Sequence, residues 1–230
     1  MRQVHVVTGA GSGIGQVIAQ RLAERGDRLV LVARDEARAQ ELAARHPGSL
    51  TIAADLAHPG HLADAVAAAD LPDRVDSLIH AAGIVRLGPV ADLALDDWTR
   101  QLTVNLAAPA ELTRLLLPRL RAARGQVLFI NSGAGLSAHP DWSAYAASKH
   151  GLKALADALR GEERANGVRI TSVYPGRTAT PMQELVHRQE GRTYDPSKFI
   201  DPASVATAVL TALDLPRDAV ISDVTVRPDL

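Results

Sequence analysis

Apolar residues gather in short, nearly unbroken runs at 4–8, 29–32, 50–53, 75–80, 127–131, 168–173 and 220–226, and Val, Ile and Leu dominate them. A strand with one wet face would alternate polar and apolar positions. Continuous runs of this length predict strands covered on both faces, as in a parallel sheet between helical layers. The stretches between the runs are long enough for crossover helices. After the first run, Ile14, Val17, Ile18 and Leu22 recur at helical spacing, and Gly26 supplies a stop signal behind Arg25. Further helices are predicted over 36–45, 61–69, 96–120, 142–165 and 202–214, the last opened by Asp201 as N-cap and Pro202 at the first helical position. The pattern predicts an α/β fold: a doubly wound, mostly parallel sheet of about seven strands with helices on both faces. No linker or repeat divides residues 1–230, so one domain is expected. The stretch 176–199 shows no clear period, carries Pro181, Gly191 and Pro196, and is expected to form a loop over the site.

Composition narrows the function. With 22% charged residues and a formal net charge of −1, the chain has neither the self-repulsion of a disordered polyelectrolyte nor a polycationic nucleic-acid footprint. The lack of cysteine excludes disulfides, thiolate metal sites and a cysteine nucleophile. No run of strongly apolar residues reaches membrane-spanning length and no leader is read at the N-terminus, so a cytoplasmic protein without membrane or nucleic-acid partners is expected. Of 25 lysines and arginines only Lys149, Lys153 and Lys198 are lysines. That bias, with abundant Ala, points to a GC-rich bacterial genome and makes each lysine worth inspecting.

Chemistry enters at Thr8-Gly9-Ala10-Gly11-Ser12-Gly13-Ile14-Gly15, which follows a strand and opens a helix. Glycines permit a tight turn and close backbone approach, and the free amides of a helix N-terminus face an anion such as a pyrophosphate. Taken alone, such a segment is also compatible with a plain strand-to-helix turn. Tyr145 and Lys149 stand four apart on a predicted helix, hence on one face, and a neighbouring cation favours phenolate. Alone, they also read as an exposed pair. Ser132 follows the run 127–131, where a strand's carboxyl end delivers side chains to the crevice of a parallel sheet.

Together these motifs resemble the single-domain short-chain dehydrogenase/reductase family, over essentially the whole chain and with a Rossmann-type sheet. The family's T-G-x-x-x-G-x-G falls on Thr8, Gly9, Gly13 and Gly15, its catalytic serine, tyrosine and lysine on Ser132, Tyr145 and Lys149, and its helix asparagine on Asn105. Its adenine-contacting aspartate falls on Asp55, beside Leu56, and its P-G motif on Pro175-Gly176, followed by Thr178 and Thr180. Where the family has Asn-Asn-Ala-Gly after the fourth strand, this chain has His80-Ala81-Ala82-Gly83. The amides that tie that turn down are missing, and reduced local rigidity is expected.

The resemblance implies hydride transfer between a nicotinamide cofactor and a carbonyl or alcohol carbon. Tyr145 would be the general acid/base, Ser132 the partner of the substrate oxygen, and Lys149 the group that lowers the Tyr145 pKa and binds the nicotinamide ribose, with Asn105 continuing a proton relay through its backbone carbonyl. Gly9, Gly11, Ser12, Gly13, Ile14, Gly15, Ala82 and Gly83 would face the cofactor. Arg34 and Arg38, at and beyond the tip of the second strand, favour NADP(H) by offering cations to a 2′-phosphate. Asp35 stands about twenty residues beyond Gly15, where an NAD-selecting acid is expected, so NAD(H) is the alternative unless Asp35 caps the next helix. Val85, Ala134, Trp142, Met182 and Leu185 would line a pocket for a small, mainly apolar substrate. Homodimers or homotetramers through the two long helices are expected. A serine hydrolase is disfavoured because no G-x-S-x-G occurs, no metal is expected, and the competing function is a noncatalytic dinucleotide-binding regulator on the same fold.

Overall fold

A computed structural model describes residues 2–229. In chain order the elements are β1 (Val4–Thr8), α1 (Gly13–Glu24), β2 (Arg28–Ala33), α2 (Glu36–Arg45), β3 (Leu50–Ala53), α3 (Leu62–Ala68), β4 (Ser77–His80), α4 (Leu95–Leu102), α5 (Ala108–Ala123), β5 (Gln126–Ile130), α6 (Ser143–Glu163), β6 (Arg169–Pro175), α7 (Pro181–Gln189), α8 (Pro202–Asp214) and β7 (Asp223–Val226). The strands form one sheet in the order β3-β2-β1-β4-β5-β6-β7, with every described pairing parallel. The winding reverses between β1 and β4, and that reversal opens a crevice at the carboxyl ends of the strands.

Strand residues alternate between two cores, which is why the runs are continuously apolar. Val6, Val30, Leu78, Val127, Phe129 and Ile170 pack with Leu62 and Val66 of α3, Leu112 and Leu116 of α5, and Leu152 and Leu159 of α6. Their neighbours Val7, Leu31, Ile79, Leu128 and Val173 face the other way, onto Ile18 and Leu22 of α1, Leu42 of α2, and Val205 and Val209 of α8. Helix α1 ends as its sequence predicts. Gly26 has φ +80° and donates to the Ala23 carbonyl, while the Asp27 amide reaches the Leu22 carbonyl at 3.1 Å, so the turn at this glycine satisfies two carbonyls of the last helical turn.

Two expectations need correction. The helix expected over 96–120 is α4 and α5 joined by a π-type turn at Thr103–Ala107. An α-type bond to the Asn105 carbonyl would have to come from residue 109, which is proline and has no amide hydrogen. The stretch 176–199 is not all loop. It contains α7, whose N-cap Thr180 accepts from the Gln183 amide at 3.2 Å and whose first residue is Pro181, followed by a short 3₁₀ turn at Pro196–Lys198. Proline at the first helical position starts a helix, because that amide needs no partner.

On α5 and α6 no large apolar side chain is exposed among the described residues; the exposed positions on α6 include Ala147, Ala154 and Ala158. No helix among the described residues is long and apolar enough to cross a membrane.

Candidate active site

Two cavities meet over the β1–α1 turn. The inner one, about 300 Å³, is lined by Gly9, Ser12, Gly13 and Ile14 on one side and by Ser132, Tyr145, Lys149, Pro175, Gly176, Thr178 and Thr180 on the other. The outer one, about 660 Å³, runs past Gly11 to Arg34, Asp35, Arg38, Asp55 and Leu56. Gly9, Ser12, Ala82 and Gly83 border both.

The turn between them is shaped to receive a dinucleotide. A Cβ on Gly9, whose φ is +71°, would lie 2.6 Å from the Ala82 nitrogen, and one on Gly15 would lie 2.4 Å from the Gly9 carbonyl oxygen. Gly9 thus lets the backbone fold against the β4 turn. Gly15, which lines neither cavity, lets α1 start close beneath it. Ser12 caps α1 in extended conformation without a side-chain hydrogen bond, and no acid stands in the first turn. The helix amides are therefore free for an anion, as a pyrophosphate requires.

The β4 turn is held by other groups than the family's amides. Thr8 Oγ1 accepts from both Ala81 N and Ala82 N at 3.1 Å. Asn105 brackets Ile84, accepting from its amide and donating to its carbonyl, each at 2.9 Å. The expected loss of rigidity is thereby made good. His80 lies beneath, bonded through Nε2 to Thr113 Oγ1 at 2.9 Å and stacked on Phe129 with ring centroids 5.0 Å apart. Burial, aided by the charge of Lys149, pushes its pKa down to about 3, so it is a neutral core group.

The three catalytic candidates share one wall of the inner cavity. Ser132 lines this wall beside Tyr145, and its Oγ accepts from Ala134 N at 3.1 Å. Lys149 Nζ donates to the Ile130 carbonyl at 3.1 Å and lies 5.8 Å from the centre of the Tyr145 ring. Burial pushes the Tyr145 phenol up to about 12, against a smaller lowering by Ser132, and burial pushes Lys149 down to about 8. Desolvation is the larger influence on both groups, since burial penalises the charged form of each. Asn105, 1% exposed, lines neither cavity, yet a Cβ on Gly83 would be 3.3 Å from its Oδ1 and 3.8 Å from Lys149 Nζ.

Of the residues expected against substrate, Val85, Trp142 and Met182 line the inner cavity. Ala134 and Leu185 join the same apolar cluster without lining it. At the outer end Asp35 caps α2, its Oδ1 accepting from Arg38 N at 2.8 Å, while Oδ2 faces Arg34 Nε at 3.3 Å. Arg38 donates to the Gly11 carbonyl at 2.8 Å. Asp55 accepts from Ala57 N at 2.9 Å and so shapes its own turn.

Four contributors escape sequence reading. Asn131 donates to the Lys149 carbonyl and accepts from Ser132 N, fixing β5 against α6. Ser148 donates to the Tyr145 carbonyl at 2.7 Å and accepts from Asn105 Nδ2 at 3.0 Å. Arg177 and Gln183 line the inner cavity. Asn131 and Ser148 carried a readable signal, since each adjoins a catalytic candidate and faces its element's interior.

The chain belongs to the short-chain dehydrogenase/reductase family, whose model, described as short chain dehydrogenase, matches residues 3–191. It is an NAD(P)-dependent oxidoreductase by membership of that family. A short-chain type dehydrogenase/reductase of Sinorhizobium fredii is 31% identical over 231 residues, covering 98% of this chain and 91% of that protein. Dehydrogenase/reductase SDR family member 7B of Bos taurus is 36% identical, covering 96% of this chain and 73% of that one. A metagenomic short-chain oxidoreductase solved in complex with NADP superimposes with a TM-score of 0.79 at 34% identity, over 99% of this chain and 98% of the other.

Proposed function

We propose that this protein moves hydride between NADP(H) and a small, mainly apolar carbonyl or alcohol substrate, with Tyr145 as general acid/base. The observation that carries the reading is the meeting of Ser132, Tyr145 and the buried Lys149 on one cavity beside a glycine turn with free helix amides. The bound nicotinamide would supply the hydride. Ser132 and Tyr145 present two hydroxyls at one point of the cavity, able to hold a single substrate oxygen. A phenol kept protonated at neutral pH is fit to donate to a carbonyl oxygen during reduction, and Lys149 is the cation that offsets phenolate afterwards. Asn105 and Lys149 converge around Gly83, which supports a relay between them.

Arg34 and Arg38 support the choice of NADP(H). Both oxygens of Asp35 are already engaged, one on the α2 cap and one on Arg34, leaving it poorly placed to receive ribose hydroxyls. The NADP bound by the metagenomic relative points the same way. A homodimer or homotetramer through α5 and α6 is proposed as well; the small exposed residues of α6 suit close helix approach, and a monomer mass by light scattering at micromolar concentration would remove it. The deciding experiment for function is a panel of ketones, aldehydes and alcohols assayed with NADPH/NADP and NADH/NAD. Turnover of a compact apolar carbonyl compound with NADPH is expected, and failure of every member with both cofactors would overturn the reading in favour of a regulator.

A further inference from the structure

Beyond the inner cavity lies a further one of about 320 Å³, lined by Leu87, Pro89, Pro140, Gln189, Glu190 and Arg192 among others. Two residues, Trp142 and Arg177, line both it and the catalytic cavity. Arg177 is clamped on two sides. Its guanidinium carbon is 5.8 Å from the Trp142 ring centre, and its two terminal nitrogens donate to the Glu190 carboxylate at 2.8 and 2.6 Å. Glu190, 15% exposed, is the C-cap of α7, and the Arg177 hydrogen bond holds its carboxyl below the usual range. The adjoining Gln189 accepts from Leu87 N at 2.6 Å, which fastens this end of α7 to the segment after β4. A planar fork bonded in bidentate fashion and lying over an indole has reduced rotational freedom, so the partition holds its place.

We infer that Arg177 is a specificity-determining residue that closes the catalytic cavity against long substrates, restricting the enzyme to compact carbonyl compounds. The inference rests on the reading given under Proposed function and deepens it. An alkyl chain that outgrows the walls formed by Val85, Met182 and Val186 meets a hydrogen-bonded ion pair. Advancing further means displacing the guanidinium and leaving Glu190 without its main partner. The pair is neutral overall, so it adds a limit on length and no attraction for a charged tail.

The test uses a chain-length series of 2-alkanones from butan-2-one to undecan-2-one. Binding is read from quenching of Trp142 fluorescence in a Trp98→Phe background, and kcat/KM is read with NADPH. The parent protein should favour hexan-2-one over undecan-2-one at least tenfold in both readouts. Arg177→Ala should bring that ratio within about threefold, and Glu190→Gln should move it the same way by freeing the guanidinium. The same profile in Arg177→Ala as in the parent, or a parent that takes undecan-2-one as readily as hexan-2-one, would overturn the inference. Failure of the functional reading is distinguishable: no alkanone would be turned over, while the binding profile would still shift in Arg177→Ala.

Discussion

The two ends of the cleft are built on opposite principles. At the inner end Tyr145, Lys149 and Asn105 are 5%, 3% and 1% exposed, each fixed by hydrogen bonds or packing, and burial has moved the proton affinities of the first two. At the outer end the Arg34 side chain is 76% exposed and that of Asp35 is 48% exposed, with solvent screening both. The contrast teaches where single substitutions act strongly. A desolvated group has few alternatives to its native partner, so losing it is felt in full. A solvated group exchanges its partner for water at little loss.

Removing the Tyr145 hydroxyl should give the largest effect. Tyr145→Phe keeps the ring that packs edge-on against Trp142 and deletes only the proton donor, so kcat should fall by roughly 10²–10⁴ while the NADPH dissociation constant changes less than about twofold. Steady-state kinetics on a confirmed substrate, paired with a fluorescence titration of cofactor, checks both. A variant retaining most of its kcat would break the contrast at its centre.

His80 sharpens the comparison from the side of stability. A base whose folded pKa is depressed from 6.5 to about 3 leaves the unfolded chain binding the extra proton between those values. Stability is therefore complete above pH 6.5 and is lost as pH falls towards 3, by on the order of 5 kcal/mol over the full span. His80→Asn should flatten the curve of unfolding free energy between pH 7 and 4 relative to the parent protein, whatever it loses in stacking on Phe129. Urea melts at several pH values measure this, and parallel curves for the two proteins would refute the assignment. Thr8 tests the same turn with a smaller effect. Thr8→Val strands the amides of Ala81 and Ala82, and should lower stability by about 1–3 kcal/mol and weaken cofactor binding.

What the sequence made legible follows the same division. Two-sided burial writes a continuous apolar run, so all seven strands were readable, and a backbone that must pass within 2.6 Å of another writes glycine, as at Gly9. Motif spacing also placed Ser132, Tyr145 and Lys149 on one cavity. Helix α7 was missed because Pro181 reads as a breaker unless Thr180 before it is recognised as a cap. The π-type turn was missed because hydrophobic period reports side-chain faces and says nothing of which carbonyl lacks a donor. The burial that raises the Tyr145 pKa was not legible, because desolvation depends on the packing around the ring and is not written in local sequence. The Arg177–Glu190–Trp142 contact joins residues from three segments, and no local pattern announces such a meeting.

The smallest expected effect belongs to the exposed end, and it decides the cofactor. Among the described residues Arg34 is held only by Asp35, at 3.3 Å in solvent, so it can turn to a 2′-phosphate with little loss; Arg38 already bonds the Gly11 carbonyl and Glu41, and has less to offer. Arg34→Ala should therefore weaken NADPH binding by about tenfold, leave NADH within about twofold, and reduce the salt dependence that NADPH binding shows in the parent. Arg38→Ala should lower affinity for both cofactors more evenly, since its bond to Gly11 shapes the turn that both would use. Titrating NADPH and NADH by fluorescence at two salt concentrations separates the cases. Tighter NADH binding by the parent protein, or unchanged NADPH affinity in Arg34→Ala, would mean that Asp35 leaves its cap to select the ribose hydroxyls, and that the exposed end discriminates by its carboxylate.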